Sequence, residues 1–190
     1  MPRIKNNSLL KGASGHWQGE FVYKQRADNT FIAGMPTVDP KRKVTDKQDD
    51  VIHLFGSASI YAATVMHNPE LKKYYDSKAS GSKSAYNIAV SDFATYPKIS
   101  SIVTTRYTGM PGSEIAVAAT KKNTKVTEVK VSIFSPAGVL IEEGKAVLNN
   151  RKLRRWYYAT TQNNPVLPGT KIIAVAKDLP GKETKMEVIL

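Results

Sequence analysis

Three histidines, His16, His53 and His67, are the only imidazoles in the 190-residue chain, and cysteine is absent. Transition-metal sites draw most of their ligands from these two residue types. His53 and His67 fall on one predicted helix, 14 residues apart, which is roughly 21 Å at the helical rise and too far to share an ion. The lack of cysteine excludes thiol catalysis, Cys-ligated zinc, iron–sulfur clusters and disulfide staples. Gly12-Ala13-Ser14-Gly15 has the wrong spacing for a nucleophile elbow. Of the paired carboxylates, Glu142 and Glu143 are neighbours in a predicted strand and therefore point to opposite faces. Asp49 and Asp50 sit in the first turn of a predicted helix, where negative charge offsets the helix dipole. Neither G-x-x-x-x-G-K-[ST] nor G-x-G-x-x-G occurs, so no phosphate loop is expected. The expectation is a protein that is not an enzyme and that uses no cofactor and no metal.

Positive charge is the remaining chemical signal. Lys and Arg number 28 against 16 Asp and Glu, a formal charge of +12, with +4 carried by residues 1–95 and +8 by residues 96–190. The densest cluster is Arg151, Lys152, Arg154 and Arg155, running into Trp156-Tyr157-Tyr158. Arginine can fork to a phosphate while an aromatic ring stacks on a base or sugar, which makes this a candidate binding site. The plainer reading, a basic loop leading into a strand whose Trp156 is core, is preferred. Strand alternation then sends Arg155 outward and leaves Arg154 on the side of Trp156. Lys41, Arg42 and Lys43 form a second candidate cluster. Lys72-Lys73 and Lys121-Lys122-Lys125 read as solvated surface.

The elements that must position these groups change character near the middle of the chain. Residues 1–15 read as an extended basic arm, and residues 17–26 and 30–35 as a β-hairpin turning at Ala27-Asp28-Asn29. Thr45 with Gln48 fits a capping box, opening a helix that runs to about His67. Its apolar stripe is Val51, Leu54, Phe55, Ala58, Tyr61, Ala62 and Val65. Asn68-Pro69 starts a second, short helix, and a third over 83–94 buries Ala85, Ile88, Ala89 and Phe93. Residues 45–94 hold five Lys against six acidic side chains, too balanced for a DNA-binding helical box.

Thr95-Tyr96-Pro97 closes the helical region. After it come seven predicted strands, about 99–105, 114–120, 126–134, 139–148, 155–162, 171–178 and 183–190, with turn signals every 8–12 residues or so. Their expected inward residues are Ile115, Val117, Ala119, Val129, Val131, Ile133, Val139, Ile141, Trp156, Tyr158, Ile173, Val175, Met186, Val188 and Leu190. The fold class is thus α+β with two domains: residues 1–95, a hairpin plus three helices, and residues 96–190, an all-β sandwich.

Several stretches carry a resemblance. Val126-Thr127-Glu128-Val129-Lys130-Val131, the turn Pro136-Ala137-Gly138, Trp156-Tyr157-Tyr158-Ala159 and Ala174-Val175-Ala176-Lys177-Asp178 resemble bacterial immunoglobulin-like or fibronectin-type-III-like sandwich domains. Arg3-Ile4-Lys5-Asn6-Asn7, Phe21-Val22-Tyr23-Lys24-Gln25 and Ser84 to Phe93 resemble a family of small uncharacterised bacterial proteins, many from Bacteroidota. The first resemblance implies an adhesive or spacing module; the second implies no activity. The expected function is a non-enzymatic interaction or structural protein, a component or adaptor of a larger bacterial or phage assembly. Its expected partner is another protein or a second copy. The alternative is a nucleic-acid-binding protein using the two basic clusters, and a weaker one is a hydrolase with an unrecognised site. No small-molecule ligand is inferred. The opening residues lack the apolar stretch of a secretory signal, and no 18-residue apolar run occurs, so a cytoplasmic protein or an assembly component is expected, with no membrane span.

Overall fold

The structure is a computed structural model. It describes residues 3–4, 10, 12–26, 29–35, 37, 43–81, 83–150 and 154–190. The candidate residues Lys41, Arg42, Arg151 and Lys152 lie outside these. Among the described residues the chain is α+β, with three helices and three four-stranded sheets.

The first sheet contains β1 (Arg3–Ile4), β2 (Gly15–Trp17), β3 (Phe21–Arg26) and β4 (Asn29–Gly34), in the order β1-β4-β3-β2. Its centre, β3 with β4, is the hairpin expected from the sequence, but the expected first strand, 17–26, is broken by a turn at 18–20. The arm departs from expectation, because Arg3 and Ile4 pair with Phe31 and Thr30 as an edge strand. Trp17 and Phe21 face each other across a turn in which Gln18 and Gly19 both take positive φ.

The helices are α1 (Asp46–His67), α2 (Pro69–Asp76) and α3 (Ala85–Ala94). Gln48 Oε1 accepts the Thr45 N–H at 3.2 Å, one arm of the capping box. Asn68 Oδ1 accepts from the N–H groups of Glu70 and Leu71, and Pro69 occupies the first position of α2, where its missing N–H costs nothing. Ala62, Val65, Tyr75, Ala85, Ile88 and Ala89 form one buried cluster. Phe93 is only half-buried, its ring 5.3 Å from that of Tyr61.

The remaining strands are β5 (Lys98–Arg106), β6 (Glu114–Thr120), β7 (Val126–Phe134), β8 (Leu140–Lys145), β9 (Val147–Asn150), β10 (Arg155–Ala159), β11 (Lys171–Asp178) and β12 (Glu183–Ile189). They form two antiparallel sheets, β5-β6-β10-β9 and β12-β11-β7-β8. Ile115, Val117, Val129, Val131, Ile133, Trp156, Ile172 and Ala174, drawn from both sheets, share a second buried cluster.

Three expectations are corrected here. The predicted strand 139–148 is two strands in different sheets. The break falls at buried Ala146, whose N–H is taken by the Val129 carbonyl, and β9 then leaves β7 for β10. Val139 is exposed in the turn before β8 rather than inward, and Leu190 is likewise exposed. In β11 the buried residues are Ile172, Ala174 and Ala176, while Ile173 and Val175 are half-buried on the other face. Both alternations of this strand are apolar, so periodicity alone cannot choose the face.

Candidate interaction surfaces

Behind the helices lies a buried polar cluster that the sequence did not foreshadow. Lys121, read as solvated surface, has a fully buried side chain. Its ammonium lies 2.7 Å from Asp92 Oδ1 and donates to the Asp92 carbonyl at 2.8 Å and to Asp178 Oδ2 at 2.5 Å. Asp92 also accepts from Tyr75 Oη at 2.6 Å and Thr124 Oγ1 at 2.5 Å, and Asp178 Oδ1 accepts the Lys182 N–H at 2.7 Å. Burial, then the hydrogen bond to Asp92, pushes the Tyr75 hydroxyl far above the ordinary phenol range. Each charge is thus paired, as a buried ion requires. The side chains of Lys121, Asp92 and Asp178 have 0% exposure, so no substrate reaches them. What they do is join α3 to the ends of β6 and β11. Lys182 adds to the joint, its ammonium 4.5 Å from the Phe93 ring centroid and 4.4 Å from that of Tyr96.

A cleft of about 660 Å³ opens beside this joint, lined by Lys78, Lys121, Thr124, Lys125, Arg154 and Trp156 among others. Arg154 enters β10 with a φ of 52°, and its guanidinium donates to the Lys121 carbonyl at 3.4 Å. Arg155 faces the other side of the sheet, where it shares a separate depression with Arg106, Glu114 and Tyr157. The two described arginines of the basic cluster therefore serve different surfaces. Arg154 is instead grouped with Lys78 and Lys125, which are remote in sequence. Lys43 is exposed ahead of α1.

The carboxylate pair divides as alternation requires. Glu142 is buried, and its Oε2 accepts from Tyr158 Oη, Thr161 N, Thr161 Oγ1 and Gln162 N at 2.8–3.3 Å, fixing the loop after β10. Tyr158 is pushed up to about 12 by burial and by the charge of Glu142. Glu143 lies outside, held below the usual carboxylate range by Lys130 and Ser132.

Two apolar surfaces lack cover. Along α1 the expected stripe divides: Ala58, Ala62 and Val65 are buried, but Val51 and Phe55, which continue the same face at four- and three-residue steps, are 63% and 62% exposed. Ile52 is exposed beside them, and Ile60 is exposed on another face of the helix. In the first sheet, register puts Trp17, Phe21, Tyr23 and Ile32 on one face. Trp17 is 58% exposed, Phe21 is also exposed, and among the described residues none of this sheet joins either buried cluster.

Among the described residues no group of three His, Cys, Asp or Glu side chains is placed to hold a metal ion, and no helix is long and apolar enough to cross a membrane. No protein-family model matches the chain, and no curated protein matches it.

Proposed function

We propose that this chain is a non-enzymatic interaction protein, a self-assembling component of a larger structure. Its layout is a hairpin-and-helix unit, residues 1–95, followed by an immunoglobulin-like sandwich, residues 96–190. Strand order supports the second unit. With β5 to β12 lettered A, B, C, C′, D, E, F and G, the sheets read A-B-E-D and G-F-C-C′, the arrangement of immunoglobulin-type sandwiches. Trp156 then lies on strand E, whereas antibody domains carry their core Trp on strand C.

The observation that carries the proposal is the uncovered stripe of α1. Exposed apolar contiguity on this scale marks an interaction site. The occupant that fits is the aromatic sheet face of a second copy. Residues 1–34 hold five basic and two acidic side chains, whereas residues 46–57 hold Asp46, Asp49 and Asp50 against Lys47 alone. The segment that forms the sheet is thus basic in composition, and the exposed part of α1 apolar and acidic. Within one copy the sheet leaves Val51 and Phe55 bare, so both surfaces are available to a neighbour.

Sedimentation of the intact chain over a range of concentrations tests this. The wild type associates as concentration rises. Phe55→Asp, at an exposed position, leaves stability within about 0.5 kcal/mol and abolishes the association. A monomer at every concentration rejects the self-assembly.

A further inference from the structure

The cleft beside α2 is independent of the α1 surface and assembles a different chemistry. Lys78 and Lys125 approach the ring of Tyr74, their ammonium nitrogens 5.9 and 5.2 Å from its centroid. Arg154 lines the same cleft, and among the described residues no acidic side chain does. Among the described residues none of these three cations has a carboxylate partner. The buried ammonium of Lys121 is held by two carboxylates, Asp92 and Asp178, whose charges exceed its own by one. That one excess negative charge does not answer three cations, and gathering them with no carboxylate in contact is unfavourable unless an anion fills the space between them.

The backbone gives a second, separate observation. Arg154 adopts the left-handed region, which side-chain-bearing residues seldom occupy. Strain of this kind concentrates at ligand clamps. Here it accompanies a guanidinium tethered by one N–H to the Lys121 carbonyl, so the fork is oriented, and its other donors meet no partner among the described residues.

We propose that this cleft binds a phosphate-bearing anion, with Arg154 as the oriented fork and Lys78 and Lys125 as the accompanying charges. A lone carboxylate would leave two of the three cations unanswered, whereas adjoining phosphates present enough charge and oxygen for all three. A volume of about 660 Å³ suits a ligand of that size. The phosphates belong either to a small phosphorylated molecule or to a nucleic-acid backbone.

Titration calorimetry on the full chain with two probes, inorganic pyrophosphate and a single-stranded oligonucleotide, tests the site. At least one probe binds, more weakly as salt is raised. Pyrophosphate binding alone identifies the small-molecule source, and oligonucleotide binding alone the backbone source. Lys125→Ser and Arg154→Gly each weaken that binding at least about tenfold, while Arg155→Ser leaves it unchanged. Arg154→Gly separates binding from folding. Glycine suits the left-handed angle, so its melting temperature holds or rises while affinity falls. The proposal is overturned if neither probe binds, if Arg154→Gly binds like the wild type, or if Arg155→Ser loses as much affinity as the cleft variants.

Discussion

Asp92 sits on a helix face that would otherwise be plain core, and both of its carboxylate oxygens are engaged. Truncating it strands Lys121 with one remaining carboxylate and leaves the Tyr75 hydroxyl without its buried acceptor. Asp92→Ala is therefore expected to destabilise the chain by about 3–5 kcal/mol, read from the midpoint of urea unfolding. A loss below about 1 kcal/mol, within the range of surface substitutions, would mean that the cluster carries little of the fold. None of this was legible in the sequence. Lys121 stands in the polar run Lys121-Lys122-Asn123-Thr124-Lys125, and its partners are 29 and 57 residues away. Local pattern identifies such a lysine as surface; only tertiary pairing makes it core. Gly144 was equally hidden. No turn requires it, but a Cβ there would meet the Tyr158 ring at 2.6 Å.

The helices were legible because their ends carry chemistry, in Thr45 with Gln48 and in Asn68-Pro69. Most strands were legible from alternation and turn residues. The exceptions have local causes. Residues 139–148 read as one strand because Gly144, two residues before the switch at Ala146, stands alone without other turn residues, and β11 is apolar on both faces. How far the helical and sheet halves are independent turns on the joint between them. Residues 97–190 expressed alone keep their own buried cluster but lose Asp92, Tyr75 and the rings beneath Lys182. The fragment is expected to give a β-type circular dichroism spectrum and a cooperative melt, at a lower temperature than the intact chain. An unfolded fragment would contradict the two-unit layout.

Across the chain, charge and apolar exposure are distributed in a way that a solitary molecule does not explain. The first sheet, built from a segment of basic composition, presents Trp17 and Phe21, and the acidic end of α1 presents Val51 and Phe55. Such a contact joins two different patches, so it propagates from copy to copy unless the geometry closes it. The sequence showed the α1 stripe in full but could not show where its cover ends, because α2 and α3 reach only its second half. The most direct test of assembly is to mix two variants, each with one damaged patch: Phe55→Asp, which keeps its sheet, and Trp17→Ala with Phe21→Ala, which keeps its α1. Each should sediment as a monomer alone, and the mixture should form a one-to-one complex through the intact pair of patches. If the mixture stays monomeric, or Phe55→Asp alone associates as the wild type does, the sheet-on-helix contact is wrong.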